Sequence, residues 1–317
     1  MRRRVRKFTV ASAQYAIGRP KSFDDYANRL AAKAEEAAGG GASLLMFPEY
    51  GAMELATLFG AEVEADLQGQ IGALDELAPK VDALHLELAA KHGLHILAAS
   101  LPVRVPEREL PVNRARLFAP NGRHGHQDKI IMTRFEREEW AIGGGDGLSV
   151  FETDLGCIGV AICYDCEFPL LVRTMVEAGA ELILIPSCTD TLRGHGRVRV
   201  GAMARALENQ CYAVVSPTVG KAPWSPSVDI NRGAAGVYGP PDIGFPETGI
   251  VAEGRFDEDM LLFAEINLDL VSEARRAGQV LNHQHWNEQP GADLWPIPPV
   301  RTVDLLSDED YEAHSYV

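Results

Sequence analysis

Three polar side chains each stand where an apolar run ends, and their types make up a reactive set. Glu49 follows the run 44–47 and Pro48, Lys129 closes what reads as the second arm of a hairpin, and Cys163 ends the β-branched run 156–162. In α/β sheets such strand ends are where sites form. A carboxylate, an ammonium and a thiol gathered there are equipped to cleave an amide. The carboxylate takes the thiol proton, sulfur attacks the carbonyl carbon, and the ammonium stabilises the oxyanion. The backbone N–H of Tyr164, next after the cysteine, is placed to be a second oxyanion donor.

The surroundings of Cys163 read as strand, tight turn, helix. Polar residues follow the cysteine, then Pro169, and then Leu170, Leu171, Val172, Met175 and Val176 at helical spacing. Pro169 fits the first helical turn because its missing N–H has no intrahelical partner there. A cysteine at such a corner projects beside unpaired helix N–H groups, which favour a thiolate. A buried cysteine is more often an inert small hydrophobe, and Cys157, Cys188 and Cys211 read that way. Cys163 and Cys166 also form a Cys-x-x-Cys pair, so a thiol redox protein is the alternative from another class. No second such pair completes a zinc site, and the histidine pairs His124/His126 and His283/His285 lack a third ligand, so no metal is expected.

The elements that must hold these residues alternate along the chain. Strands are expected over 5–16, 43–47, 95–100, 148–151, 156–162, 181–186, 212–217 and 260–266, with a hairpin at 113–118 and 125–129 around Pro120-Asn121-Gly122. Helices are expected over 22–38, with Ser22 as N-cap, and over 75–92, 193–210 and 268–277. A Pro- and Gly-rich loop occupies 221–247, with 233–238 able to pair as a strand. The glycines 143–145 precede a strand rather than opening a helix, so they are not a phosphate cradle. Turn-linked strands among βα units point to mixed sheets. Residues 1–280 form one domain, and 281–317 a tail that packs on it or on a partner subunit.

Composition narrows the function. The chain has 317 residues, 46% hydrophobic and 24% charged, with a formal net charge of -15. That charge argues against nucleic acid as a partner. No apolar run reaches membrane-spanning length. The basic start, Met1 to Lys7, leads into a strand rather than a signal-peptide core. Five cysteines without a small-scaffold pattern fit free thiols in a reducing cytoplasm.

The segments Phe47-Pro48-Glu49-Tyr50, Asp128-Lys129-Ile130 and Ile162 to Pro169 resemble the three signature regions of the nitrilase superfamily of carbon–nitrogen hydrolases. Arg205-Ala206-Leu207-Glu208-Asn209, Pro186-Ser187 and Glu247-Thr248-Gly249 add further likeness, in order, from about Val5 to about Ala277. The resemblance implies a four-layer α-β-β-α sandwich with two mixed sheets, usually dimerising through its helical faces. It implies the catalytic triad Glu49, Lys129 and Cys163, no cofactor, and a homodimer or higher homo-oligomer. It further implies a second glutamate seven residues before a glycine that opens the next strand. Aligning Gly145-Asp146-Gly147 with that turn selects Glu138, with Glu136 and Glu139 in adjacent registers, to orient Lys129 and the substrate amide. Glu208 reads as a structural partner of Arg205 one turn away.

The resemblance is incomplete at Leu170, Ile131 and Thr189, where many relatives carry Glu, His and Trp. Tyr164-Asp165 after the cysteine is the commoner pattern among amidases and carbamoylases, whereas nitrilases carry Trp-Glu. A small amide or N-carbamoyl substrate is therefore expected over a nitrile, the nitrilase being the alternative within the family. Tyr50, Trp140, Tyr164, Ser187 and Thr189 are the expected substrate-binding wall, and Trp224 lies in the loop expected to shape it.

Overall fold

Apolar residues at period two, broken by stretches at helical spacing, fold into stacked layers. The computed structural model describes residues 5–106, 108–294 and 298–307. The basic residues Met1 to Arg4 and the end of the expected tail, 308–317, lie outside the described residues. The first half of the chain runs β1 (Lys7–Ala16), α1 (Phe23–Gly39), β2 (Ala42–Met46), α2 (Ala61–Ala65), α3 (Leu67–His92), β3 (His95–Leu97), β4 (Leu101–Val103), β5 (Val112–Phe118), β6 (His124–Asp128) and α4 (Arg134–Glu138). Then follow β7 (Leu148–Thr153), β8 (Gly156–Val160), α5 (Pro169–Glu177), β9 (Leu182–Ser187), α6 (Leu192–Asn209) and β10 (Tyr212–Lys221). The remainder is β11 (Ile230–Asn231), β12 (Gly236–Tyr238), β13 (Ile250–Glu253), β14 (Met260–Asn267), α7 (Leu268–Ala277), α8 (Asn282–His285) and β15 (Val300–Asp304).

Two mixed sheets result. In the first, β1 pairs parallel with β2 and antiparallel with β14, β2 pairs parallel with β3, and β5 pairs antiparallel with β3, β4 and β6. In the second, β8, β9 and β10 are parallel neighbours, flanked by antiparallel β7 and β12. Among the described residues the strands of the two sheets pair where the end of β1 meets β10, at Tyr15↔Thr218 and Ala16↔Val219. The segment expected as a tail supplies β15, which pairs parallel with β7 at the edge of the second sheet.

The period-two pattern decides which layer each side chain enters. From the first sheet, Phe8, Val10, Leu44, Met46, Leu97 and Leu117 face a core shared with the second sheet. Their neighbours Ala11, Ala13, Leu45, Phe47, Ile96 and Phe118 face the opposite way, against Tyr26, Leu30 and Ala34 of α1 and Leu74, Val81 and Leu88 of α3. Val172 and Met175 of α5 and Val198, Ala202 and Ala206 of α6 close the far side of the second sheet. The order is helix, sheet, sheet, helix. Strand β9 is buried along its whole length, as a central strand covered on both faces must be.

One boundary differs markedly from the sequence reading. Helix α3 starts at Leu67 rather than Asp75, capped by Asp66, whose carboxylate accepts the Gly69 N–H at 2.7 Å. Gly69 and Gly72 lower the helical propensity of that turn, but burial of Ile71 and Leu74 overrides it. The glycine run also has a concrete role. A Cβ on Gly144 would sit 2.7 Å from the Ile130 carbonyl oxygen, and one on Gly145 2.9 Å from that of Asp128. Only glycine lets this backbone press against the strand end that carries Lys129, where the Gly145 N–H donates to the Lys129 carbonyl at 2.7 Å.

Candidate active site

Glu49 and Lys129 come from the first sheet, just past β2 and β6, and Cys163 from the second, just past β8. The chain turns sharply at two of these ends. Tyr50 and Cys163 have φ of 55° and 48°, in the left-handed region that non-glycine residues rarely occupy. Such backbone persists where the surrounding structure holds it, and here it does so beside a cavity.

Lys129 is fully buried, and its Nζ donates to Glu49 Oε1 and to Glu136 Oε2, both at 2.7 Å. Glu49 is as deeply buried. Its Oε1 also accepts from Asn113 Nδ2 at 2.9 Å, and its Oε2 from the Cys188 N–H at 3.0 Å. Glu136 Oε2 further accepts the Thr133 N–H and hydroxyl, both at 2.8 Å, while its Oε1 takes the Tyr50 hydroxyl at 2.8 Å. The Cys163 thiol donates to the Cys188 carbonyl oxygen at 3.8 Å and faces the same cavity as the Glu49 carboxylate. One residue ties the two sheets together here. Asp165, buried, accepts the N–H groups of Ile130 at 3.0 Å and Ile131 at 2.8 Å, which fastens the turn carrying Cys163 to the strand end carrying Lys129.

Burial and mutual charge set the protonation pattern. Burial raises the Glu49 carboxyl, opposed by Lys129 and reinforced by Glu136, and the net direction is upward. For Lys129 burial works against the charge, but Glu49 and Glu136 outweigh it and hold the ammonium well above its ordinary range. Burial would also raise Glu136, yet Lys129 and the Thr133 and Tyr50 donors pull it below the usual carboxylate range. The Cys163 thiol is pushed well up, by burial first and by the Glu49 charge second, with Lys129 opposing. That corrects the expectation of a resting thiolate. Cys163 opens a single 3₁₀ turn, Cys163–Glu167, and α5 begins only at Pro169, so the sulfur does not sit at the N-terminus of α5. Asp165 is pushed up to about 7 by burial, partly offset by Lys129 and its two backbone donors.

A cavity of about 610 Å³ opens onto these groups. Of the expected wall, Tyr50, Trp140, Tyr164 and Thr189 line it, with Trp140 packed edge-on to Tyr50 at 5.1 Å. Ser187 does not: it is buried at the end of β9, and its hydroxyl donates to the Ser216 carbonyl at 3.4 Å within the sheet. The next residue, Cys188, lines the cavity instead. Trp224 packs in the apolar layer beside α1 and α3.

The second glutamate also differs from the alignment. Glu138 points to solvent and pairs with Arg134 at 2.8 Å, both side chains more than half exposed. Glu136 is the one that meets Lys129. The reason is local: α4 opens with a capping box in which Thr133 takes the Glu136 N–H and the Glu136 carboxylate folds back over the Thr133 N–H. This aims Glu136 at the strand end below the helix and Glu138 away from it. The Thr-x-x-Glu spacing was legible in the sequence. The charged lining residues Glu139, Glu167, Asp190, Arg197 and Asp229 carried no such signal, because separate elements converge to supply them. Glu208 pairs with Arg205 one turn away, as expected. Among the described residues no group of three or more His, Cys, Asp or Glu side chains is arranged to hold a metal ion, and no helix is long and apolar enough to cross a membrane.

A family model described as carbon-nitrogen hydrolase matches residues 9–276. The chain is similar to the probable hydrolase YhcX of Bacillus subtilis, 34% identical over 271 residues, covering 86% of this chain and 52% of that protein. It thus spans about half the length of that relative. It is 28% identical to omega-amidase NIT2-A of Xenopus laevis over 280 residues, 85% of this chain and 92% of the relative. Among solved structures, Nit3 of Saccharomyces cerevisiae, a member of branch 10 of the nitrilase superfamily, matches with a TM-score of 0.69 at 20% identity, over 87% of this chain and 96% of Nit3. A carbon-nitrogen hydrolase of Helicobacter pylori matches with a TM-score of 0.71 at 20% identity, over 92% of this chain and 97% of the other. At that identity the likeness is one of fold.

Proposed function

The chain belongs to the carbon–nitrogen hydrolase family, and from that premise we propose that it hydrolyses the C–N bond of a small linear amide or N-carbamoyl compound through a thioester on Cys163. One observation carries the reading: a buried ammonium held at 2.7 Å by each of two carboxylates, with the Cys163 thiol facing the same cavity.

With the thiol neutral at rest, its proton passes to Glu49 as sulfur attacks the carbonyl carbon. The raised carboxyl of Glu49 suits it to that transfer near neutral pH. Before attack, Glu49, Glu136 and Lys129 together carry one negative charge. Afterwards Glu49 is neutral and the oxyanion has taken up that charge, so the buried total does not change. Lys129, anchored from both sides, faces the developing oxyanion without having to reorganise, and the Tyr164 N–H supplies the second donor. Protonated Glu49 gives its proton to the leaving amine or ammonia. Water deprotonated by Glu49 then opens the thioester and releases the acid. Glu136 orients Lys129 and accepts from the substrate amide.

The cavity volume exceeds what the smallest amides need, and Tyr50, Trp140 and Tyr164 offer aromatic faces to a larger acyl group. Leu192, Val200 and Leu207 are exposed on one face of α6, as is Leu170 on α5, and support a homodimer or higher homo-oligomer through this helical layer. Five free cysteines support a reducing cytoplasm.

The test is a panel of amides, ureas and nitriles with ammonia detection, run on the wild type and on Cys163→Ala. Amide turnover with mass-detected acylation of Cys163, both absent from the folded variant, is expected. Undiminished turnover in Cys163→Ala removes the nucleophile, and turnover of nitriles alone replaces amidase by nitrilase.

A further inference from the structure

Asn113, on β5, touches two members of the triad without belonging to it. Its side chain is fully buried, its Nδ2 donates to Glu49 Oε1 at 2.9 Å, and its backbone carbonyl accepts the Lys129 N–H at 2.9 Å. Its own Oδ1 is buried with no hydrogen-bond partner. A buried amide with an orphaned oxygen is unfavourable, and such a group calls for an explanation beyond packing. The nitrogen supplies one.

Resting on the hydrolase reading, we propose that Asn113 is a positioning residue that makes Oε2 of Glu49 the atom that receives the Cys163 proton. A carboxylate oxygen has two lone pairs. Oε1 already accepts two donors, Asn113 and Lys129, and is the less basic oxygen. Oε2 spends one, on the Cys188 N–H, and keeps the other open. Without Asn113 each oxygen carries one donor, and nothing then distinguishes the two as the destination of the proton.

The same bond tunes the base. A donor to the ionised carboxylate favours that form, so removing it raises the Glu49 pKa and moves the acid limb of the pH profile upward. The other groups acting on Glu49 are Lys129 from the end of β6, Glu136 of α4, Cys163 past β8, Cys188 past β9 and the Tyr50 hydroxyl. Asn113 is the neutral, non-titrating member of this ring, so its removal changes one donor and no charge.

The experiment compares wild type with Asn113→Leu, which keeps the branching at Cγ and loses the donor, and with Asn113→Asp, which turns an acceptor toward Glu49. Two pH profiles are read: kcat and KM on an amide turned over in the panel, and the rate of Cys163 alkylation by iodoacetamide, followed by intact mass and independent of turnover. For Asn113→Leu the acid limb of both profiles should rise by about one pH unit, with kcat at pH 7 down roughly ten- to a hundredfold and KM within about threefold. Asn113→Asp should move the limb further, since a second carboxylate opposes ionisation of Glu49, and it decides the question if Asn113→Leu does not fold. Unmoved acid limbs in a folded variant, or a loss confined to KM, overturn the proposal. The two readings separate cleanly. A wild type that turns over no amide, while alkylation limbs still move, removes the hydrolase and leaves the role of Asn113. Amide turnover with unmoved limbs does the reverse.

Discussion

The decisive substitution is Glu136→Gln set against Glu138→Gln. Glu136 accepts from Lys129 Nζ, the Thr133 N–H, the Thr133 hydroxyl and the Tyr50 hydroxyl, all within 2.8 Å and away from solvent. Glutamine keeps the shape and one acceptor oxygen, and the Tyr50 hydroxyl can turn to accept from the new amide. What goes is the charge, which leaves Lys129 with Glu49 alone. Losing a buried charge-assisted contact costs about 2–3 kcal/mol, a fall in Tm of roughly 3–5 °C for a chain this size. Loss of one preorganised electrostatic element at an oxyanion site lowers kcat by about a hundred- to a thousandfold. Glu138 sits in an exposed pair with Arg134, where 82% and 55% of the two side chains are open to solvent. Its substitution should cost under about 0.5 kcal/mol and leave kcat within about twofold. Ammonia release under saturating amide and differential scanning fluorimetry measure both effects. Equal losses in the two variants, or full activity in Glu136→Gln, refute the assignment of Glu136 to Lys129.

Two further outcomes are open to simple assays. Cys166 is fully buried, its sulfur 3.8 Å from the Val198 carbonyl oxygen and outside the cavity wall, so Cys166→Ala should retain hydrolysis at a stability cost of about 1 kcal/mol; abolished activity would restore a dithiol role. His85 and His95 are buried, and burial lowers each to about 4. The unfolded chain therefore takes up protons near pH 6.5 that the folded chain refuses until about pH 4. Stability should be fully present above pH 6.5 and decline as pH falls, by up to about 3 kcal/mol per histidine. Urea titrations between pH 7 and 4 should show a shallower decline in His85→Leu, and an identical slope would rule the residue out as a contributor.

Some of this site was written in the local order of residues. Each of Glu49, Lys129 and Cys163 ends an apolar run, and period-two alternation in β1, β2 and β5 alone specifies which side chains enter the inter-sheet core. Ser22 as a cap and the hairpin of β5 and β6 follow from neighbours in sequence. Other features depend on groups far apart along the chain. Alignment by a distant glycine selected Glu138, but helical geometry and the Thr133 cap turn Glu136 inward, and its protonation is set by an ammonium seven residues away in sequence and 2.7 Å away in space. The neutral resting thiol follows from burial and from the Glu49 charge, neither of which a strand–turn–helix pattern discloses. Asp165 reaching back to Ile130 and Ile131, Asn113 donating to one oxygen of Glu49, and Cys188 rather than Ser187 facing the cavity all arise when ends of two separate sheets are brought together. Local sequence specifies backbone conformation and which face is apolar, because those are short-range effects. The free energy of a proton or a charge depends on everything within a few ångströms, and only the folded chain determines what that is.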